Sequence, residues 1–315
     1  MRGVIIPVLA AFLCSATTVI AANAPDPSTE KLRALIKTIP PLPAERVDIK
    51  VDPRVKLEGI SSIAADKAGN IYVLHRPTTP DGDPVVVLDP TGKLIRSWGR
   101  GMYRTPHGIR IDAEGNVWTV DANTSDVYKF TAEGKKLLEI KVGGVPDPKR
   151  EFCGATDVAF APNGSIYIGD GYCNGRVLEY KADGTKVKEW GKRGTGPGEF
   201  NNVHGIALGP DGNLYVADRE NGRLQWFDLN GKFLGERQLG GQFYNITFDA
   251  KGNMYAATHA KGVSLDEEFN LLKFDFKSGR ILGKIEVRAH EVGVGADGTI
   301  LPATRSERLV IYRQK

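Results

Sequence analysis

Five histidines occur in the 315-residue chain, and three of them hold the same phase of a recurring motif. His107 opens HGIRIDAEGNVWTVDA, His204 opens HGIALGPDGNLYVADR, and His290 opens HEVGVGADGTILPATR. Taken singly, each is more often a hydrogen-bonded strand residue than a ligand. Brought to one point by a repeat, three neutral imidazoles suit Zn²⁺, and a three-ligand site leaves a position open for water or substrate. A second aligned position, seven residues after each turn glycine, holds Arg76, Ala122, Gly171, Arg219, His259 and Arg305. A guanidinium there offers a planar fork matched to a carboxylate; the plainer reading is a solvated arginine in a surface ion pair. Tyr172 follows Gly171 and adjoins Cys173. A phenol acts as a base only where neighbours such as arginine or a metal ion lower its pKa, and is otherwise a buried core tyrosine.

These residues need elements that bring them together, and the repeats supply them. The turn glycines Gly69, Gly115, Gly164, Gly212, Gly252 and Gly298 recur every 40 to 49 residues. Each lies between two runs of alternating apolar residues, the signature of a β-hairpin. Further strand-like runs follow, such as DVYKFTA and KKLLEIKVG after the second glycine, giving about four strands per unit. Such a unit cannot bury both faces of its sheet alone, whereas radial stacking covers them. The expected fold is all-β, a six-bladed β-propeller. Ser61, His107, Thr156, His204, Tyr244 and His290 open the six units, so histidine occupies alternate blades. Inner strands line the channel, which places three imidazoles about 120° apart at one height. ERVDIKVD near the start and ERLVIYRQ at the end suit the strand pair that closes the ring.

The first residues, MRGVIIPVLAAFLCSATTVIAA, read as a secretory signal over 1–22: a basic residue, an apolar run, then small residues. An uncleaved anchor is the alternative, although the run is short for a span. Residues 23–45 read as a short helix and Pro-rich linker, and 46–315 as the propeller. A net charge of +4 without a basic run gives no case for nucleic acid, and no stable membrane span is expected after cleavage. Export makes a secreted or periplasmic location the expectation, and the chain is expected to be a monomer. With Cys14 removed, Cys153 and Cys173 remain, either as a disulfide or as two buried thiols. WGKRGTGPGEF at 190–200 lacks the Gly-Lys-Ser/Thr ending of a phosphate loop and reads as a connection between blades.

FCGATDVAF, DGYCNGRVLEY, WGKRGTGPGEFNNVHGIAL and VADRENGRLQWF together resemble the peptidyl-α-hydroxyglycine α-amidating lyases, within the broader NHL-repeat propellers. The similarity runs from about residue 57 to the C-terminus. It implies zinc on His107, His204 and His290, a catalytic Tyr172, active-site Arg76 and Arg219, and a Cys153–Cys173 disulfide; Arg305 gains no role from it. It also implies a calcium site on the carbonyls of Ile63 and Ile109, with Glu291 where the family has aspartate. Tyr215 and Trp226 stand where a second family disulfide would lie. The implied substrate is a small molecule or peptide bearing a carboxylate, cleaved at a carbinolamide to an amide and glyoxylate. Two other readings remain: a non-catalytic propeller presenting its face to protein or glycan partners, and a calcium-dependent lactone hydrolase. The latter would need acidic and amide side chains on the channel where imidazoles stand.

Overall fold

The computed structural model describes residues 27–144, 147, 149–260 and 269–315. The signal reading of 1–22, including Cys14, lies outside the described residues. Among them, strands assemble into six four-stranded antiparallel sheets, the blades of a propeller. Five blades are meanders that run outward from the channel in chain order. Their inner strands are Ser62–Ala65, Pro106–Ile111, Asp157–Phe160, Val203–Leu208 and Gln242–Phe248. The sixth blade begins at Glu291–Val294 and ends at Leu309–Gln314, which pairs antiparallel with Ala44–Ile49 from the other end of the chain. The ring is thereby closed by hydrogen bonds between residues far apart in sequence, as the two strand-like termini predict.

Each inner hairpin turns on the repeat glycine, whose φ lies between 78° and 86° in all six. That left-handed region excludes most side chains, and glycine enters it freely. Asp112 shows how the turn is fixed: its carboxylate accepts from Asn116 N at 2.7 Å while Gly115 N donates to Asp112 O at 3.0 Å. Beyond the turns, alternating side chains fill the space between neighbouring blades. Tyr72, Val85 and Val87 of blade one, for example, are buried with Ile109, Val117 and Phe130 of blade two. Fully burying one Val, Leu or Phe is worth roughly 1.5–3 kcal/mol, so each inter-blade seam holds the inner strands rigidly in place. Tyr215 and Trp226 are direct cross-strand partners with rings 5.9 Å apart and 25° from parallel.

The helix Pro27–Thr38 lies against this ring. Leu35, Ile36 and the buried Ile39 pack onto a cluster that includes Tyr215, Phe243 and Phe274, and Leu42 N donates to Lys284 O of blade five at 2.7 Å. Among the described residues, no helix is long and apolar enough to cross a membrane.

Candidate functional site

His107 and His204 lie on inner strands at points where the pairing register shifts, between Pro106 and Gly108 and between Val203 and Gly205. A β-bulge of this kind re-aims a side chain, and here it turns the imidazole toward the channel. His290 stands just before the inner strand of blade six. The three rings are 4.8 to 4.9 Å apart, centroid to centroid, in every pairing. One ligand nitrogen from each falls within 4.8 Å of the others, and all three residues are buried.

Each ring is oriented by a carbonyl from the next blade. His107 Nδ1 is 2.7 Å from Thr156 O, His204 Nδ1 is 2.6 Å from Tyr244 O, and His290 Nδ1 is 2.8 Å from Ser61 O. Those acceptors are the repeat-opening residues of the odd blades. Gly108 makes the first contact possible, because a Cβ there would lie 2.8 Å from Thr156 O. With Nδ1 donating its hydrogen, Nε2 is left as a lone pair facing the axis. Burial holds all three imidazoles well below their ordinary pKa, with Arg76 next for His107, Arg219 for His204 and Arg305 for His290. All three are therefore neutral donors.

Tyr172 completes the cluster. Its Oη is 2.9 Å from His107 Nε2 and 3.0 Å from His204 Nε2, while His290 Nε2 is buried without a partner. One hydroxyl hydrogen serves one of these lone pairs and leaves the other two unsatisfied, which is costly for buried polar atoms. A single divalent cation would satisfy all three, so the donor set fits one. Burial raises the Tyr172 phenol, opposed by Arg219, Arg305 and Arg76 in that order.

The loop bearing Tyr172 is tied down from several directions. Cys153 and Cys173 form a disulfide, and Arg193, within the Gly-rich inter-blade connection, donates to Tyr172 O at 3.3 Å and Cys173 O at 3.5 Å. At Gly171 a Cβ would stand 2.1 Å from Val203 O, so only glycine lets this loop lie against the strand that carries His204. Arg76 stacks over Phe152 at 5.0 Å and donates from Nε to Pro106 O at 3.0 Å. Arg219 lies over the rings of Tyr244 and Tyr172, 4.9 and 5.6 Å from their centroids.

Phe152 and Arg193 join this site without having been among the sequence candidates, and Arg305, which gained no role from the resemblance, lies beside His290 and Tyr244. Arg305 was visible at the aligned arginine position, while Phe152 carries no signal beyond its place before Cys153. Below the histidines, Arg110 Nη2 meets Asp157 at 2.6 Å and Arg110 Nη1 lies 3.9 Å from Glu291, which also accepts from Ser62 Oγ at 2.5 Å. The expected calcium position on the carbonyls of Ile63 and Ile109 includes Glu291, whose Oε1 is buried without a hydrogen-bond partner where Arg110 is shared by two carboxylates. A surface cavity of about 720 Å³ lies beside the helix Pro27–Thr38, away from the histidines, so the site is marked by its donor chemistry rather than by cavity size.

A closed ring of six blades with three inward imidazoles defines an NHL-type propeller with a trihistidine centre, and the NHL repeat family matches residues 152–180 and 200–227. The chain is 28% identical over 291 residues to peptidyl-glycine alpha-amidating monooxygenase A of Xenopus laevis, covering 78% of this chain and 30% of the frog protein. It is 30% identical over 294 residues to peptidyl-alpha-hydroxyglycine alpha-amidating lyase 1 of Drosophila melanogaster, covering 78% of this chain and 54% of the fly protein. It thus spans only a third to a half of these relatives' lengths. A solved streptogramin B lyase superposes with a TM-score of 0.61 at 14% identity, covering 86% of this chain and 98% of that one, a likeness of fold alone. The chain belongs to the peptidyl-α-hydroxyglycine α-amidating lyase family.

Proposed function

We propose that this protein is an exported, zinc-dependent lyase that cleaves a peptidyl-α-hydroxyglycine, or a related carbinolamide, to an amide and glyoxylate. The observation that carries the proposal is the convergence of three neutral imidazoles on one point of the channel, with two of their Nε2 atoms meeting the Tyr172 hydroxyl and the third left unpartnered. His107, His204 and His290 would hold the zinc, which supplies Lewis-acid polarisation of the substrate hydroxyl. Tyr172 Oη takes the hydroxyl proton, its phenolate form favoured by the surrounding guanidiniums against the burial that opposes it. The oxygen's bonding pair becomes the new carbonyl as the C–N bond breaks, and the proton on Tyr172 passes to the departing amide nitrogen. Arg76 binds the carboxylate, and Arg219, lying over the Tyr172 ring, steadies the phenolate, so that the carbinol carbon is held beside Tyr172. Phe152 and Tyr244 wall the site with apolar rings that exclude water. The Cys153–Cys173 disulfide supports export, since such bonds persist in oxidising compartments.

The test is metal content of the purified protein together with glyoxylate release from α-hydroxyhippurate. One zinc per chain with glyoxylate formation is expected in the wild type, and loss of both in His204→Ala. Stoichiometric zinc without glyoxylate would redirect the proposal to another carbinolamide. Absence of both would favour a non-catalytic propeller.

A further inference from the structure

Many arginines of this protein are neutralised by a carboxylate. Arg54, Arg110, Arg176 and Arg223 each meet an aspartate at 2.6 to 2.9 Å. Arg305 meets no carboxylate among the described residues, and its Nε is buried without a partner; Arg76 Nη2 is in the same condition. A buried, unpaired guanidinium nitrogen is expensive to keep, which calls for a ligand. The two residues are also built as a pair. Arg76 N donates to Glu58 O at 2.8 Å and Arg305 N to Ile60 O at 3.0 Å, so both hang from one three-residue segment joining blades six and one.

Arg305 is held there at a cost. Its φ is 55°, a left-handed conformation unfavourable for a non-glycine residue and most often retained where function requires it. Beside it, Tyr244, Phe269, Arg288 and His290 line a small recess. Burial and then Arg305 hold Arg76 below its ordinary pKa, and Arg305 is lowered by burial, with Arg219 and Arg288 adding repulsion. An anion arriving between Arg76 and Arg305 relieves that repulsion and satisfies both orphaned nitrogens.

We propose that Arg305 is a substrate-binding residue, which with Arg76 forms a two-guanidinium cradle for the substrate carboxylate. The inference rests on the lyase reading for the identity of the substrate, but not for the existence of the cradle. A carboxylate has two oxygens and about four acceptor sites, so one guanidinium can hold each oxygen. The consequence is strong discrimination against neutral esters and amides of the same shape.

Calorimetric binding of hippurate and of neutral hippuramide to the zinc-loaded protein tests this. Wild type is expected to prefer hippurate. Arg305→Gly, whose new residue suits the left-handed backbone, should keep or raise the melting temperature. It should weaken hippurate roughly 10- to 100-fold, the scale of a lost charged hydrogen bond, and leave hippuramide unchanged. Arg305→Lys should recover part of the loss, and the effect should shrink in an Arg76→Ala background, because the two share one ligand. Hippurate affinity within twofold of wild type in Arg305→Gly, equal weakening of both ligands, or a wild type that does not distinguish them would overturn the proposal. Intact carboxylate binding without turnover of α-hydroxyhippurate would count against the lyase reading alone.

Discussion

Tyr172 concentrates the chemistry of the centre in one atom, because its Oη touches two imidazole nitrogens and three arginines shape its electrostatics. Tyr172→Phe keeps the ring and removes only that oxygen. Zinc content should therefore stay at one per chain while glyoxylate release falls roughly 10²- to 10⁴-fold, the range for loss of a general base. Glu58 affords a separate test on the Arg76 side. Its carboxylate accepts from Lys56, from Thr78 N at 2.7 Å and from the Thr78 hydroxyl at 2.9 Å, which pull its pKa from 4.5 down to about 2. A lowered acid pKa stabilises the fold above the unfolded value and loses that contribution as pH falls through the folded one. Glu58→Gln should accordingly flatten the decline in melting temperature between pH 4.5 and 2, followed by circular dichroism. The three histidines and Tyr172 were legible as residues because the repeat fixes their phase. Arg305 was not given a role, since neither its φ of 55° nor its unpaired Nε has any trace in the string of letters.

Among single elements, the loop bearing Tyr172 is held against the strand that carries His204 by a missing side chain, and is tied down by a covalent bond. Gly171→Ala would drive a methyl into Val203 O and N, 2.1 and 2.5 Å from the new Cβ. Overpacking of this kind costs roughly 1–3 kcal/mol. A denaturant midpoint should report that loss, together with a fall in turnover as Tyr172 moves off the imidazoles. Replacing Cys153 and Cys173 by serine removes a cross-link spanning 20 residues, worth roughly 3 kcal/mol in the chain-entropy view. Melting of the double variant against the oxidised wild type measures it. The hairpins and the 40-to-49-residue period were readable from alternation and glycine. The bulges at His107 and His204 were not, because a register shift depends on how a strand meets its partner, and one sequence carries no record of the partner's position.

The whole molecule depends on closure. Ala44–Ile49 covers the outer edge of blade six through pairing from Ala44↔Gln314 to Ile49↔Leu309, so a chain beginning at residue 51 would expose that edge strand. Such edges recruit other chains, and light scattering should show association with loss of the single cooperative transition. Ring closure and blade number followed from counting repeats, since only a closed stack buries every sheet face. The alternation of ligand and acceptor around the ring did not: the six opening residues were aligned, but the service of Ser61, Thr156 and Tyr244 as carbonyl acceptors for the histidines is set by blade-to-blade spacing. That alternation pins three rings from behind so that their free nitrogens meet at one point. Anomalous diffraction at the zinc edge from crystals of the full chain tests it most directly. One peak is expected about 2.0–2.1 Å from Nε2 of His107, His204 and His290; a zinc bound elsewhere, or a metal-loaded protein with no peak between these rings, would contradict a trihistidine centre.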